Sequence, residues 1–501
     1  MVRVVLKEKL STLQKKKPNA RKRWDLEKLK DPATNEKFSR EVKKKIGENA
    51  QQRTTTEGWE KLKKAIVEVA ENTIGEKRRL RNDWFDQECE EIIARKNDAR
   101  TKLLQRRTRT RQEEYDMLRR EANKVCRRKK KKAINKKLEE IEIKNKQNEV
   151  RNFYKDINYF RQDFKPRLSG CKDKMGKLLN EEAAIAARWT EHFQELLNEH
   201  QDTGESIVEN TYYSAELEVT KPSLLEVKNA IIAMKNYMAA GEDNITSEML
   251  KAGKESVAAE LHKIVSTIWD SEILPEQWKT GIIYPVYKKG DKLNCANYRG
   301  ITLLNVAYKV FSNILLKRVS VYTEEIIGEY QCGFRKSRGT VDQIFIVRQA
   351  MEKCFEHKTD LHMLFVDFRQ AFDSISKMKL VNYMYSKGIP KKLVKLIEIT
   401  LTDARAKVMI DGHCGSEFAL KRGVRQGDAL SATLFNLALQ AVLENTAENG
   451  HIIYKAQCAR TQMTLCLSPG MKDSYENSIP KYTQKQEKSD LKSTRKKQST
   501  W

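Results

Sequence analysis

Hydrophobic positions change their spacing several times along the chain. From Glu57 to about Asn148 apolar residues recur three and four apart, as in Trp59, Leu62, Ala65, Ile66, Val69 and Ala70, and this spacing predicts helix. After a basic turn at 77–81 and the pair Trp84-Phe85, one long helix, nearly free of Gly and Pro, is expected to begin near Asp86. The loop Lys165-Pro-Arg-Leu-Ser-Gly leads to a further helix from about Glu181 to Leu197. Ser223-x-x-Glu226 reads as a capping box ahead of Val227, Ile231 and Met234, in a helix that Gly241 should stop. From there to about residue 445, short strand-like runs alternate with amphipathic helices, including one over Tyr308–Val319, and this part can bury a sizeable core. Amphipathic patterning stops near Ala447, and from Met471 the sequence is mostly Ser, Lys, Gln and Thr.

Composition narrows the classes. Of 501 residues 33% are charged and 39% hydrophobic, so a core is possible in some parts of the chain and not in others. Ordinary Gly, few Pro and nine scattered Cys exclude collagen, mucin and disulfide-scaffold classes. The Cys residues form no Cys-x-x-Cys pair, so neither a zinc site nor a disulfide framework is expected, and a reducing compartment is the default. No apolar run reaches the ~20 residues of a membrane span. The apolar stretch at Met1-Val-Arg-Val-Val-Leu-Lys is too short for a secretory signal, so no secretion is expected.

Lys plus Arg number 96 against 69 Asp plus Glu, a net charge of +27, which favours a polyanionic partner. The densest stretch, Arg119–Lys137, holds eleven Lys or Arg and one acid, with an unbroken run over Arg127–Lys132. Its plain reading is a solvated helix face. Its functional reading is phosphate contact through residues such as Arg127, Arg128, Lys129 and Lys130, because like charges this dense repel along a helix and counter-anions relieve them. Such a run carries no base specificity and would also serve as a nuclear import signal.

Residues with chemistry cluster further on. Met363–Val366 is a short buried-strand run that delivers Asp367 at its end, followed by Phe372 and Asp373. A rigid strand end opening into a cleft is a place where a carboxylate can meet Mg²⁺. Taken alone, the pattern is an ordinary capping Asp. Some fifty residues later, Arg422-Gly-Val-Arg-Gln-Gly-Asp-Ala-Leu-Ser431 puts a Gly-flanked Gln426 at a helix entrance, with Gly423 and Gly427 permitting close backbone approach. Upstream, a strand at Gly281–Tyr287 runs into the basic turn Lys288-Lys289, and Arg299 stands beside Gly300, well suited to clamp a triphosphate. The loop Gln331-Cys-Gly-Phe-Arg-Lys-Ser-Arg-Gly-Thr-Val-Asp-Gln343 is basic and Gly-punctuated, with Arg335 and Arg338. Cys332 is expected to be a small apolar filler.

In this order, from about Ser223 to Glu444, these blocks resemble the reverse transcriptase domain of non-LTR (LINE-type) retrotransposons, and more distantly that of group II introns. The carriers are Ala240-Gly-Glu-Asp243, Tyr298-Arg-Gly-Ile-Thr-Leu, Gly333-Phe-Arg-Lys-Ser-Arg-Gly-Thr340 and the segments around Asp367 and Gln426. Trp84-Phe-Asp and Ala187-Arg-Trp-Thr-Glu-His-Phe also resemble the helical linker ahead of the polymerase in such elements. The resemblance implies an α/β (α+β) right-hand polymerase with fingers and palm, here incomplete, preceded by a long basic helical region. The division expected is 1–55 polar and largely disordered, 56–215 basic helical linker, 216–450 fingers and palm, and 451–501 low-complexity tail. The activity implied is template-directed addition of deoxynucleotides to a DNA primer on an RNA template. By the same resemblance Asp367 would bind two Mg²⁺ ions about 3.5–4 Å apart, helped by the Phe368 carbonyl. Phe372 would be the gate against a 2′-OH, Lys289 and Arg299 would hold the deoxynucleoside triphosphate, and Gln426 and Gly427 would line the templating base pair. Arg335 and Arg338 would contact nucleic acid. Trp278 is expected to pack against the fingers rather than stack on a base. Nucleus and cytoplasm are both compatible, and no protein partner is named by the sequence.

The sequence departs from that family at one place. The palm should carry a second carboxylate pair, usually Tyr-Ala-Asp-Asp, some 20–40 residues past Leu437, yet the chain has no Asp-Asp dipeptide and Tyr454–Leu467 has no acid. Arg460–Leu465 can be encoded CGT ACG CAG ATG ACA TTG. Read from one base before the Thr461 codon, that string is TAC GCA GAT GAC ATT, which is Tyr-Ala-Asp-Asp-Ile. The Met463-Thr464 junction fixes GAC without any codon choice. A frameshift shortly before Thr461 is therefore expected, which leaves a reverse transcriptase cut short after the Gln426 block and of little or no activity. The alternative is a non-catalytic nucleic-acid-binding remnant or host-adopted fragment. A basic coiled coil is disfavoured, because the long helix lacks a sustained apolar heptad.

Overall fold

The computed structural model describes residues 23–47, 54–76, 84–146, 153–154, 156–157, 170–198, 219–368, 371–410, 412–447, 454–458 and 463–469. Of residues 362, 364–367 and 445–447 and the strands after 453, the backbone alone is described. Two units result, Met1–Gly75 with Gly170–Trp501, and Glu76–Ser169.

Local signals start the helices. Pro32 opens α1 (Pro32–Gly47) at the position where its missing N–H costs least. Thr54 caps α2 (Thr55–Thr73) by accepting from the Glu57 N–H. The stripe of α2 is buried as its spacing predicted, with Trp59 and Ile66 inside. The segment 1–55, expected to be largely disordered, contributes α1 because Phe38 and Val42, one turn apart, are both buried. The helical region expected over 56–215 is also divided, since α2 belongs to the larger unit and 76–169 to the smaller.

In the smaller unit the single long helix expected from Asp86 is two helices, α3 (Gln87–Gln105) and α4 (Arg109–Lys146). Arg106 is extended, and the Thr108 hydroxyl accepts from the Arg111 N–H to start the second helix. Folding back lets Cys89, Ile92 and Ala99 on α3 and Ala122 and Ile141 on α4 leave water, which one extended helix would not allow.

The larger unit resumes with a short hairpin, β1 (Cys171–Lys172) and β2 (Leu178–Leu179), and then α5 (Glu182–Asn198). The capping box at Ser223 forms with both reciprocal bonds and opens α6 (Leu224–Ala233). This helix ends well before Gly241 because Met234 is already extended and Tyr237 takes a positive φ. Three helices follow, α7 (Ser247–Ala252), α8 (Lys254–Ser271) and the short α9 (Glu276–Lys279). α1 and α2 both pack against α8, in a core that joins residues far apart in the chain.

β3 (Thr280–Tyr287) and β4 (Tyr298–Leu303) form an antiparallel pair, and α10 (Val306–Ile326) runs through the core behind them. Next come α11 (Thr340–Glu356), β5 (Leu361–Asp367), α12 (Lys377–Ser386) and α13 (Lys391–Leu401). β6 (Arg405–Ile410) pairs parallel to β3, and β7 (His413–Ala419) antiparallel to β6, so that the sheet order is β4-β3-β6-β7. α5 covers one face of that sheet. Trp189 lies edge-on to Tyr298 at 4.8 Å, and a Cβ on Gly300 would come within 2.8 Å of the Phe193 ring. After α14 (Ser431–Ala447), a hairpin of β8 (Tyr454–Cys458) and β9 (Met463–Pro469) lays β9 antiparallel along β5. No helix of the described residues is long and apolar enough to cross a membrane.

Candidate functional site

The end of β5, the entrance to α14 and the β3–β4 pair converge. The loop 422–430 is gripped from two sides. Its Gly423 and Val424 N–H groups donate to the Ile375 and Phe372 carbonyls at 2.8 and 2.9 Å. The Gln426 carbonyl accepts from the Thr302 N–H of β4 at 2.7 Å. Both glycines are required here. Gly423 has φ +76° and Gly427 φ +121°, and a Cβ would lie 2.8 Å from Asp373 Cα in the first case and 2.5 Å from the Thr302 carbonyl oxygen in the second. Gln426 and Gly427 are thereby fixed beside β4.

Arg425 anchors this loop from below. Its guanidinium stacks 4.4 Å from the Tyr308 ring centre and donates to the Trp278 and Thr400 carbonyls, each at 3.2 Å. Asp428 lies 3.6 Å from it and accepts from the Tyr308 hydroxyl. Trp278 packs against Trp59 of α2 as well as Phe311 of α10. Arg425 was not singled out in the sequence, although a cation next to a Gly-flanked Gln, three residues from an acid, is a legible signal.

Phe372 lies between Phe334 at 6.0 Å and Phe435 of α14 at 5.1 Å, and Phe368 stands 6.4 Å from Phe435. The aromatic expected to gate a sugar is thus held on two sides by rings. Arg299, Lys288 and Lys289 are exposed. Lys288 shares a face with Arg299, because Arg299 pairs with Val286, two residues earlier on β3. Lys288 and Arg299 both act on Asp373, and Lys289 follows Lys288 on the turn.

Burial pushes the Asp373 carboxyl up to about 6, against the opposing pull of Lys288 and Arg299. A folded-state value above the ordinary 3.8 means that the native state holds the proton more tightly. Its contribution to stability is complete below about pH 4 and is lost as pH rises to about 6, on the order of 2–3 kcal/mol. Asp373→Asn is expected to flatten the stability profile over that window and to raise stability at pH 7. Unfolding curves collected from pH 4 to 8 test this, and an unaltered profile would refute it.

The other expected nucleic-acid contacts are placed unevenly. Arg335 is nearly enclosed, paired with Glu324 at 2.6 Å and donating to the Gly328 and Gln331 carbonyls, so it pins its own loop. Arg338 is partly exposed, 3.6 Å from Glu329. In the smaller unit Arg128 and Lys129 are paired to α3, whereas Arg127 and Lys130 are exposed. Cys332 is buried, as expected of a filler, and receives a hydrogen bond from Gln343 at 2.9 Å.

The donor set bears on a metal. Asp367 closes β5 and stands in register with Met463, the first residue of β9, which in turn pairs with Cys458. The side chain of Asp367 and residues 459–462 lie outside the described residues. No residue from 454 to 469 is an acid, and the described residues hold no group of three or more His, Cys, Asp or Glu able to bind a metal. One carboxylate and a backbone carbonyl do not fit a pair of divalent cations, each of which needs several oxygen ligands with anionic ones among them.

Residues 286–456 match the family described as reverse transcriptase (RNA-dependent DNA polymerase). The chain is 26% identical to a probable RNA-directed DNA polymerase from transposon X-element of Drosophila melanogaster, over 56% of this chain and 33% of that protein. It is 26% identical to the RNA-directed DNA polymerase from mobile element jockey of the same species, over 45% of this chain and 25% of that protein. A type-1 retrotransposable element R2 polyprotein of Popillia japonica matches at 26% identity, over 34% of this chain and 24% of that one. The chain therefore spans at most about a third of the length of these relatives. Apo telomerase from Candida tropicalis truncated from its C-terminal domain aligns with 49% of this chain and 65% of that one at 10% identity and TM-score 0.30, too slight a likeness to add to the fold.

Proposed function

The chain carries a reverse transcriptase domain of the non-LTR (LINE) type, and from that premise we propose that it engages an RNA template and a DNA primer without extending the primer. One observation carries the second half. The strand set against β5 meets Asp367 with Met463 and brings no carboxylate. Polymerisation by this family calls on Mg²⁺ to stabilise the attacking and leaving oxygens, and the donors present do not fit two such ions. The residues that remain are suited to binding. Lys288 and Arg299 offer cations to a triphosphate, Gln426 and Gly427 present a backbone edge, and Phe372 closes one side.

The frame arithmetic supports a cause. In the alternative frame the Asp-Asp codons overlap those of Gln462, Met463 and Thr464, at the register of Asp367. The nucleotides encoding residues 440–501 are expected to give TAC GCA GAT GAC ATT in that frame, followed by a long open reading frame. A frame that closes at once, or that lacks the two Asp codons, would overturn the frameshift. The chain would then stand as a nucleic-acid binder in its own right.

A further inference from the structure

The smaller unit holds a charge imbalance that its own acids relieve in part. Between Ala122 and Leu138, α4 carries nine Lys or Arg and no Asp or Glu. Lys129 and Arg128 are committed within the hairpin. Lys129 pairs with Asp86 and, at 2.6 Å, with Glu88, and Arg128 lies 2.6 Å from Glu88. The two carboxylates hold the Lys129 ammonium above the ordinary lysine range. Asp86 also caps α3 by accepting from the Cys89 N–H, so these pairs fasten the start of α3 to the middle of α4.

Arg120, Lys124, Arg127 and Lys131 are placed differently. They recur at intervals of four, three and four residues, and all are exposed. At about 100° per residue they fall within an arc of about 60°, on the side of α4 opposite Ala122 and Lys129. Along the axis they span about 16 Å. None of the four is ion-paired among the described residues. The hairpin thus turns a line of four unneutralised guanidinium and ammonium groups outward while its acids staple the inner side.

We propose that this line is a phosphate-binding track for a nucleic-acid backbone, additional to the polymerase domain. Charge complementarity over several successive phosphates carries the proposal, which does not depend on the polymerase reading. A membrane surface fits less well, because a helix lying in a bilayer needs a broad apolar face opposite its cations, and here α3 packs against that side. A track of this kind recognises phosphate and not sequence. The sequence alone grouped Arg128 and Lys129 with Arg127 and Lys130. The hairpin reassigns the first two to its own closure and brings in Arg120, Lys124 and Lys131.

The test measures binding of the full chain to 20-base-pair DNA and RNA duplexes by fluorescence anisotropy over a series of salt concentrations. Each neutralised phosphate contributes about 0.9 to the slope of log affinity against log salt. The variant R120Q/K124Q/R127Q/K131Q is expected to lose about 3 to 4 from that slope with unchanged helicity by circular dichroism. Lys129→Gln is expected to keep the slope within about 1 of the parent. The DNA and RNA arms report which duplex the track prefers, and a loss of slope on either supports it. An unchanged slope in the fourfold variant overturns the proposal. So does an equal loss in Lys129→Gln with helicity retained, or tighter binding to phosphatidylserine vesicles than to either duplex.

Discussion

Given an RNA template, a DNA primer, deoxynucleotides and Mg²⁺ or Mn²⁺, the chain is expected to extend no more primer than its Asp367→Ala variant. Removing one well-placed electrostatic group from an active site commonly costs about 10²–10³ in rate. Here an entire carboxylate pair is missing from the strand beside Asp367, since β9 begins with Met463 and Thr464 at that register. Residual catalysis from positioning alone would fall below the background of a gel assay. Binding is a separate matter. The same preparation should retain labelled template–primer, more weakly as salt rises. Extension that is present in the parent and absent in Asp367→Ala would sink the reading, because it would require that one carboxylate suffices or that another acid substitutes.

The largest loss of stability is expected from Arg425→Met. The Arg425 side chain is 4% exposed and that of Asp428 6%. Removing one partner of an enclosed ion pair leaves the other charge in a poor medium and typically costs about 3–5 kcal/mol. The Trp278 and Thr400 carbonyls lose their donor in the same step. Lys309, held below its ordinary range by burial, is the remaining cation acting on Asp428 and sits too poorly solvated to replace a guanidinium. The double variant Arg425→Met, Asp428→Asn should recover part of the loss, because the uncompensated charge is then gone. The unfolding transition of the larger unit in urea reads both. A single variant within about 1 kcal/mol of the parent would show that the pair is not what fixes the loop bearing Gln426.

The parts legible in the sequence were those specified locally. The capping box at Ser223, the stripe of α2 and the strand ending at Asp367 each depend on residues within one or two turns of each other. The order of blocks from Tyr298 to Gln426 identified the reverse transcriptase domain. The missed features depend on partners distant in sequence. Whether Lys129 faces solvent or Asp86 was decided by a fold-back at Arg106–Thr108, and periodicity runs through that break without registering it. Arg335 and Arg338 look alike in the chain, yet Glu324 and two carbonyls claim the first. That Lys288 shares a face with Arg299 depends on the pairing of β3 with β4, which sequence spacing does not fix.

The joining of α1 and α2 to α8 has a consequence for synthesis. The nascent chain releases α2 with Trp59, Leu62, Ile66 and Val69 on one face, and the surface that covers them is incomplete until α8, close to residue 270, has been made. At about 5–20 residues per second the ribosome needs on the order of 10–40 s for that stretch. Throughout that interval the apolar stripe of α2 waits only partly covered. The hairpin of α3 and α4, whose contacts are close in sequence, can complete itself meanwhile. Slowing translation between α2 and α8 is therefore expected to lower the soluble yield.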